Sequence, residues 1–141
     1  MRAILDTNVL VAALLWRGPP HQLLEQVRNG TLTLASSPVL LAELTHILSR
    51  AKFDSILVQT HTPRERALDE VRQLSALIDA PPLPRPVCRD PDDDAVLACA
   101  IAAQVDFIVS GDLDLLVLKH YQHIPIVNPR EALGLIDAAQ K

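Results

Sequence analysis

The sequence is poor in the residues on which several classes of protein depend. Its 141 residues include two cysteines, four glycines, two Phe, one Tyr and one Trp. Two cysteines are too few for a disulfide framework or a zinc finger, and the flanks of Cys88 and Cys99 predict small, reduced core residues. The glycines are isolated from one another, which excludes a glycine-rich phosphate loop. With so few aromatic side chains, base stacking cannot dominate any binding of nucleic acid.

The chain also lacks a long apolar run. The longest, Val9–Trp16, has eight residues, whereas a membrane-spanning helix needs about 20. Asp6 lies where a signal peptide would need apolar residues, so we expect a cytoplasmic protein with no membrane span. The length, with 49% apolar and 21% charged residues, predicts one domain over residues 1–141 and excludes a disordered chain.

Acidic residues are plentiful and unevenly distributed. Thirteen Lys and Arg against seventeen Asp and Glu give a net charge of −4, which is unlike a simple nucleic-acid-binding protein. Seven of the seventeen acids lie between residues 90 and 114. Carboxylates this crowded repel one another, so they indicate helix capping or a bound cation. A bound cation would also weaken the repulsion of phosphate groups.

Strand and helix patterns alternate along the chain and predict an α/β fold. Short apolar runs predict strands at 2–5, 31–35, 106–109 and 124–127. Apolar periodicity and capping residues predict helices at 9–16, 20–28, 38–50, 63–78, 90–103, 112–118 and 129–138. Residues 80–86 contain four prolines and predict an extended connector. Alternation of this kind is typical of a parallel sheet covered by helices on both faces.

Two acids follow predicted strands directly. Asp6 follows the 2–5 strand, and Asp112 follows the 106–109 strand after one turn. Ligands of open parallel sheets bind outside the carboxyl ends of the strands, so both carboxylates could face such a site. Each could instead be a helix N-cap. Asp114 lies about 200° around a helix from Asp112, and we expect it to point elsewhere.

Two other acids lie on predicted helices. Glu43 is at the edge of the apolar stripe of its helix, where the alternative is a solvated carboxylate paired with a nearby base. Asp94 shares a helix face with Leu97 and Ala98 and is predicted to point along the packed side. A carboxylate aimed inward needs a partner or a metal, and the sequence offers no obvious basic partner.

Together these residues predict a cation site at one end of the sheet. The four candidate carboxylates are Asp6, Glu43, Asp94 and Asp112. Oxygen ligands without His or Cys favour Mg²⁺ or Mn²⁺ over Zn²⁺. One or two such ions orient a phosphodiester and activate a water, so phosphodiester hydrolysis is the predicted chemistry. The acids at 90, 92 and 93 need no such role, because N-capping and the helix dipole account for them.

Four segments together resemble the PIN-domain family, the metal-dependent ribonucleases that include VapC-type toxins. They are ILDTNVL at 4–10, SSPVLLAELTHIL at 36–48, CRDPDDDAVLACA at 88–100 and IVSGDLDLL at 108–116. The family's four acids fall on Asp6, Glu43, Asp94, and Asp112 or alternatively Asp114. Asn8 matches the family's DTN motif, and Ser110 stands where the family often has Thr.

The resemblance implies more than the residues alone predict. It implies a three-layer α/β/α fold with a central parallel sheet of four to five strands, Mg²⁺ or Mn²⁺ as cofactor, and cleavage of RNA. It also implies a homodimer and a cognate antitoxin, with the chain as toxin. The apolar 9–16 helix and the long stripe of the 63–78 helix favour self-association independently.

Two alternatives remain at the level of sequence. A haloacid-dehalogenase-like phosphatase also begins with a strand ending in Asp, but it needs an acid two residues later, where this chain has Asn8. The other alternative is a catalytically silent PIN-like binding module. All four acid positions are filled, so no residue supports a loss of activity.

Overall fold

A six-stranded sheet forms the centre of the computed structural model, which describes residues 1–140. The strands are β1 (Arg2–Leu5), β2 (Thr33–Ser36), β3 (Ser75–Leu77), β4 (Phe107–Val109), β5 (His120–Tyr121) and β6 (Ile124–Val127). Their order across the sheet is β3-β2-β1-β4-β6-β5, and β5 is the strand that pairs antiparallel. The sheet is therefore mostly parallel, as predicted, but it has six strands rather than four to five.

Within residues 1–140, eight α-helices and one short 3-10 helix (Ala51–Phe53) connect the strands. The α-helices are α1 (Thr7–Leu15), α2 (Pro19–Arg28), α3 (Pro38–Leu48), α4 (Asp54–Gln59), α5 (Arg64–Leu74), α6 (Pro91–Ala103), α7 (Leu113–Leu116) and α8 (Pro129–Ala139). Parallel strands need such crossovers, because a tight hairpin can join only antiparallel neighbours. The predicted α/β fold is confirmed.

Alternate residues of the central strands pack into two separate cores. Ala3 and Leu5 of β1 face a core formed with α1, α2, α3, α5 and α8. Ile4, between them, faces the other core, with α6 and α7. β4 repeats the pattern, since Phe107 belongs to the first core and Ile108 to the second. Side chains alternate in this way along a strand, so both faces are covered and the three-layer α/β/α arrangement follows.

Helix α5 is shorter than the sequence predicted. The periodicity extends to residue 78, but α5 ends at Leu74 and the next three residues form β3. These residues pair in parallel with β2, with Ala35 opposite Ala76. Pairing with a sheet edge outweighs the helical preference of Ala76 and Leu77, because tertiary context routinely overrides propensity. The segment 51–59 and the two-residue strand β5 carry no strong pattern and were not predicted.

The two cysteines are free thiols, as predicted, but Cys99 lies within a core while Cys88 is only packed against it. Cys99 is buried and Cys88 is half-buried. Burial raises the pKa of each thiol to about 11, so both stay protonated at neutral pH. Among residues 1–140, no helix is long and apolar enough to span a membrane.

Replacing a core leucine should test this packing. Leu44 of α3 is fully buried in the first core, whereas the Leu113 side chain is 78% exposed. We expect Leu44→Ala to lower the free energy of unfolding by about 3 kcal/mol, because the lost burial adds to the cost of a cavity. Leu113→Ala should change it by less than about 0.5 kcal/mol. Urea denaturation of both variants measures the difference, and equal losses would contradict the assignment of the core.

Candidate metal centre

The carboxyl ends of β1 and β4 bring the first candidate residues together. The two strands are neighbours, with Leu5 opposite Val109. The backbone N–H of Asp6 donates to the Val109 carbonyl at 3.0 Å, so Asp6 lies directly beside Ser110. Register in a parallel sheet thus places the residues that follow both strands at one edge.

Asp6 is held in one orientation by its neighbours. It is buried and caps α1, accepting the backbone N–H of Val9 at 2.9 Å. The Ser110 hydroxyl donates to its second carboxylate oxygen, Oδ2. Burial raises the pKa of Asp6 and nearby Asp112 adds to the rise, while the hydrogen bonds from Ser110 and Val9 oppose it. Capping and convergence on the site therefore coexist in one residue.

Three more carboxylates converge beside Asp6. One oxygen from each of Asp93, Asp112 and Asp114 lies within 4.8 Å of the others. Asp93 is buried, and Asp112 and Asp114 are half-buried. The backbone N–H of Asp112 donates to the Ser110 hydroxyl oxygen at 2.9 Å, so Ser110 links this group to Asp6. Like charges at this separation are unfavourable without a counter-ion.

Asp93 is the acid whose ionisation is most clearly disfavoured by its surroundings. Burial, followed by the charges of Asp112, Asp90 and Asp6, raises its pKa to about 7. Among residues 1–140, its Oδ2 atom is buried without a hydrogen-bond partner. Native proteins rarely leave a buried carboxylate oxygen unsatisfied, so this atom needs a ligand from outside the chain.

Glu43 of α3 approaches the same region. Its Oε2 atom is the other buried side-chain oxygen without a partner in the described part of the chain. Burial raises the pKa of Glu43, the Thr7 hydroxyl donates a hydrogen bond that opposes the rise, and the charges of Asp92, Asp90 and Asp6 add to it. Glu43 is therefore neither paired with a base nor simply solvated.

Asp94 does not join these carboxylates, and the prediction that it points toward the site is corrected. Its carboxylate accepts the backbone N–H of Val87 at 3.2 Å and that of Cys88 at 2.8 Å. Asp93, one residue earlier, is about 100° around the helix and points to the cluster instead. Sequence reasoning assigned Asp93 to the helix dipole and missed it. Its own helix face contains Val96, Leu97 and Ala100, which are all buried, so the apolar pattern made Asp93 a candidate equal to Asp94 without deciding between them.

Asp114 is the second correction. It was expected to point away from Asp112, yet its carboxylate lies in the same group. The 200° argument needs both residues to be helical, whereas Asp112 is the N-cap of α7 with extended backbone and accepts the N–H of Asp114 at 2.8 Å. Asp114 also accepts from the Arg89 guanidinium at 2.8 and 3.0 Å, a contact that the sequence did not indicate.

The two supporting residues differ in their surroundings. Ser110 is fully buried between Asp6 and Asp112, as described above. Asn8 is exposed on α1 and, with Asp112 and Gly111, lines a cavity of about 320 Å³. Asn8 thus borders the site rather than contacting the cluster.

The residues present fit a hard divalent cation. All the side chains that converge are carboxylates, with Ser110 and Thr7 as hydroxyl partners. Mg²⁺ and Mn²⁺ prefer oxygen ligands, and a bound cation would reduce the repulsion and would give the buried oxygen of Asp93 a partner. Among the described residues, this is the one group of acidic, His or Cys side chains close enough to hold a metal.

Comparison with known proteins agrees with this geometry. The sequence matches the PIN domain over residues 2–114. The chain belongs to the PIN-domain family. The resemblance indicated by the four sequence segments is therefore confirmed.

Solved structures similar to this PIN domain share its fold. One is a chain of VapBC2 from Rickettsia felis, in a crystal structure of the complex bound to a DNA fragment from its promoter. That chain is 20% identical to this one, with a TM-score of 0.59, and the match covers 91% of this chain and 98% of that chain. PAE2754 from Pyrobaculum aerophilum is 15% identical, with a TM-score of 0.62 over 98% and 90% of the two chains. No curated protein sequence matches significantly.

The raised pKa of Asp93 makes the stability of the metal-free PIN domain depend on pH. In the folded state Asp93 keeps its proton up to about pH 7, whereas the unfolded chain releases it near the ordinary value of 3.8. The folded state therefore binds more protons over this range, and the free energy of unfolding should fall as pH rises from about 4 to about 7. The raised pKa values of Asp6 and Glu43 act in the same direction.

Thermal unfolding in EDTA tests this dependence. Asp93→Asn cannot ionise at that position, so it should lose part of the decrease between pH 5 and pH 8 and melt above the unmodified protein at pH 8. Asp137→Asn, at an exposed position of α8, is the matched control and should follow the unmodified protein. Identical pH curves for Asp93→Asn and the unmodified protein would contradict the raised pKa.

Proposed function

We propose that this PIN domain is a divalent-metal-dependent endoribonuclease that hydrolyses RNA phosphodiester bonds, with Mg²⁺ or Mn²⁺ as cofactor. The observation that carries the proposal is the cluster of Asp93, Asp112 and Asp114 beside Asp6, with Glu43 near enough to Asp6 for the two charges to interact, together with the buried oxygens of Asp93 and Glu43 that have no partner among residues 1–140. PIN domains are generally nucleases that use divalent metals. Asp93 replaces Asp94 in the ligand set that we propose.

The residues of the site have distinct roles in this scheme. Asp6 and Asp93 are the most buried carboxylates, and their oxygens would bind the cation most directly. Ser110 fixes one oxygen of Asp6 and so sets the direction of its other lone pairs. When bound, a divalent cation lowers the pKa of an attacking water and stabilises charge on the leaving oxygen. Asp112 and Asp114 border the exposed side, from which a substrate phosphate would approach.

Arg89 gives the exposed side of the site one positive charge. Its side chain is 87% exposed and pairs with Asp114. An exposed ion pair of this kind contributes little to stability, typically 0 to about 1 kcal/mol. The guanidinium can therefore leave Asp114 at little cost and bind a phosphate oxygen of RNA, for which its planar donors are well suited.

The adjacent residues Asp93 and Asp94 provide a matched test of the metal centre. Asp93→Asn removes a ligand charge and should abolish Mn²⁺ binding measured by calorimetry, with a loss of several orders of magnitude in the rate of RNA cleavage. Asp94→Asn should keep the Mn²⁺ affinity of the unmodified protein, because Asp94 contacts backbone N–H groups outside the cluster. Cleavage should stop in excess EDTA.

Three results would contradict this scheme. Cleavage that continues in EDTA would exclude the metal mechanism. Loss of Mn²⁺ binding in Asp94→Asn with retention in Asp93→Asn would restore Asp94 as the third acid. Release of inorganic phosphate from small esters, without cleavage of RNA, would favour the phosphatase alternative.

We also propose that the chain is the toxin of a toxin–antitoxin pair, acts in the cytoplasm and forms a homodimer. The structural similarity to a chain of VapBC2 supports the first part. The apolar helix α1 packs into the chain's own core, so it does not favour self-association as the sequence suggested. Support comes instead from exposed apolar side chains, such as Val58, which is 74% exposed, and Trp16, which is 49% exposed.

Light scattering measures the oligomeric state directly. At micromolar concentration we expect about twice the chain mass of 15.5 kDa, because the exposed apolar side chains are removed from water on association. A mass of 15.5 kDa over the same concentration range would contradict the dimer.

Co-expression with the protein of the neighbouring open reading frame tests the antitoxin, since a cognate antitoxin should co-purify and suppress cleavage.

A further inference from the structure

A cavity of about 320 Å³ lies next to the metal centre and has no part in the scheme above. The Pro-rich connector that follows β3 forms one wall, with Leu83 and Pro86. Val39 of α3 and the small side chains Ala95 and Ala98 of α6 form the opposite walls. The volume is at the lower end of the range for small-ligand sites, about 300–1,000 Å³, and the walls are mainly apolar.

The cavity lies on the same edge of the sheet as the carboxylates. Ser37, which follows β2, and Ala80, which follows β3, both line it. β2 is the direct neighbour of β1, and adjacent strands are about 4.8 Å apart. The cavity is therefore beside the metal centre, on the side of β2 and β3, and Asp94 in its wall is the neighbour of Asp93 in the cluster.

Asp94 fixes the shape of this cavity. It lines the cavity and accepts the N–H groups of Val87 and Cys88, which ties the end of the connector to the first turn of α6. The prolines of the connector restrict its backbone further. A site formed in advance by such restraints loses little entropy when a ligand binds.

We propose that this cavity is a base-binding subsite for an RNA nucleotide adjacent to the scissile phosphate, an inference that rests on the proposed nuclease function. A nucleobase is a flat ring with polar edges, which suits apolar walls that also carry Ser37, Arg85 and Asp94. Arg85 supplies a guanidinium plane that can stack on a base, and Asp94 retains acceptor lone pairs for a base amino group.

The scarcity of aromatic residues strengthens this assignment. The Phe107 side chain is buried in the first core, and the Trp16 ring packs edge-on against Phe53. Neither ring is therefore available to stack on RNA at this edge of the sheet. The apolar contact that aromatic side chains supply in many RNA-binding proteins must come from elsewhere. Two of the cavities in the described residues border the metal centre, and this one contains a guanidinium, that of Arg85, whereas the one lined by Asn8 and Asp112 contains none.

Abasic substitution in RNA tests the subsite with the unmodified protein. A cleaved oligonucleotide is remade with one abasic nucleotide at each position around the cut, and kcat/KM is measured with Mn²⁺. We expect one position next to the cut at which loss of the base lowers kcat/KM roughly tenfold, within the range for removal of one base contact. The other positions should change less.

A variant that fills the cavity provides the second arm. Ala95→Leu places a larger side chain among the cavity-lining residues without breaking α6, because Leu is a good helix former. This variant should cleave intact RNA about as slowly as the unmodified protein cleaves the abasic substrate, and the abasic substitution should have no further effect on it. Ala102→Leu, at an exposed position of the same helix, is the matched control and should keep the tenfold dependence.

The outcomes separate the subsite from the function on which it rests. Cleavage of RNA with no base dependence at any position overturns the subsite and leaves the nuclease intact. A base dependence that survives unchanged in folded Ala95→Leu places base recognition elsewhere and also overturns it. Failure to cleave any RNA with either metal refutes the proposed function itself, and the subsite with it.

Discussion

Mutual repulsion among buried carboxylates is the constraint on which this structure depends. Asp93, Asp112 and Asp114 cluster beside Asp6 where β1 and β4 end, and burial with neighbouring charges raises the pKa of Asp6, of Asp93 and of nearby Glu43. Hydrogen bonds offset part of this repulsion, because the Ser110 hydroxyl and the backbone N–H of Val9 in α1 both donate to Asp6. In the described part of the chain Asp93 and Glu43 keep buried oxygens without partners, and these are the oxygens that the proposed cation would satisfy.

The first turn of α6 shows how one helix start serves two purposes. Asp90 caps the helix, accepting the N–H of Asp92 at 2.9 Å, and fixes where the helical phase begins. The 100° step between consecutive residues then separates Asp93, which enters the cluster, from Asp94, which holds the connector. Adjacent acids thus have different roles, one electrostatic and one structural, and a cap one residue later would place Asp94 in the cluster and Ala95 against the connector.

The sequence was sufficient for the features that local physics determines. An apolar run predicts β1 and thereby places Asp6 at the end of a strand. A Ser-Pro pair predicts the N-cap of α3. The choice between Asp93 and Asp94 could not be made, because both helix faces contain apolar residues and the spacing fits either. Nor could β3 be found, since three residues become a strand only because β2 is beside them. Asp114 was misplaced for a local reason, because Asp112 is an N-cap rather than a helical residue, whereas β3 depends on contact between separate segments.

Charge distribution explains how an acidic chain could bind RNA. The net charge of −4 would oppose approach of a polyanion, but seven of the seventeen acids lie between residues 90 and 114, where the proposed cation would neutralise part of their charge. Arg85 and Arg89 lie on the connector between β3 and α6, one among the lining residues of the cavity and one beside Asp114. The prolines limit the motion of this connector, and Asp94 ties its end to α6. The positive charges are thereby held at the border of the acidic site, where a phosphate backbone would need them.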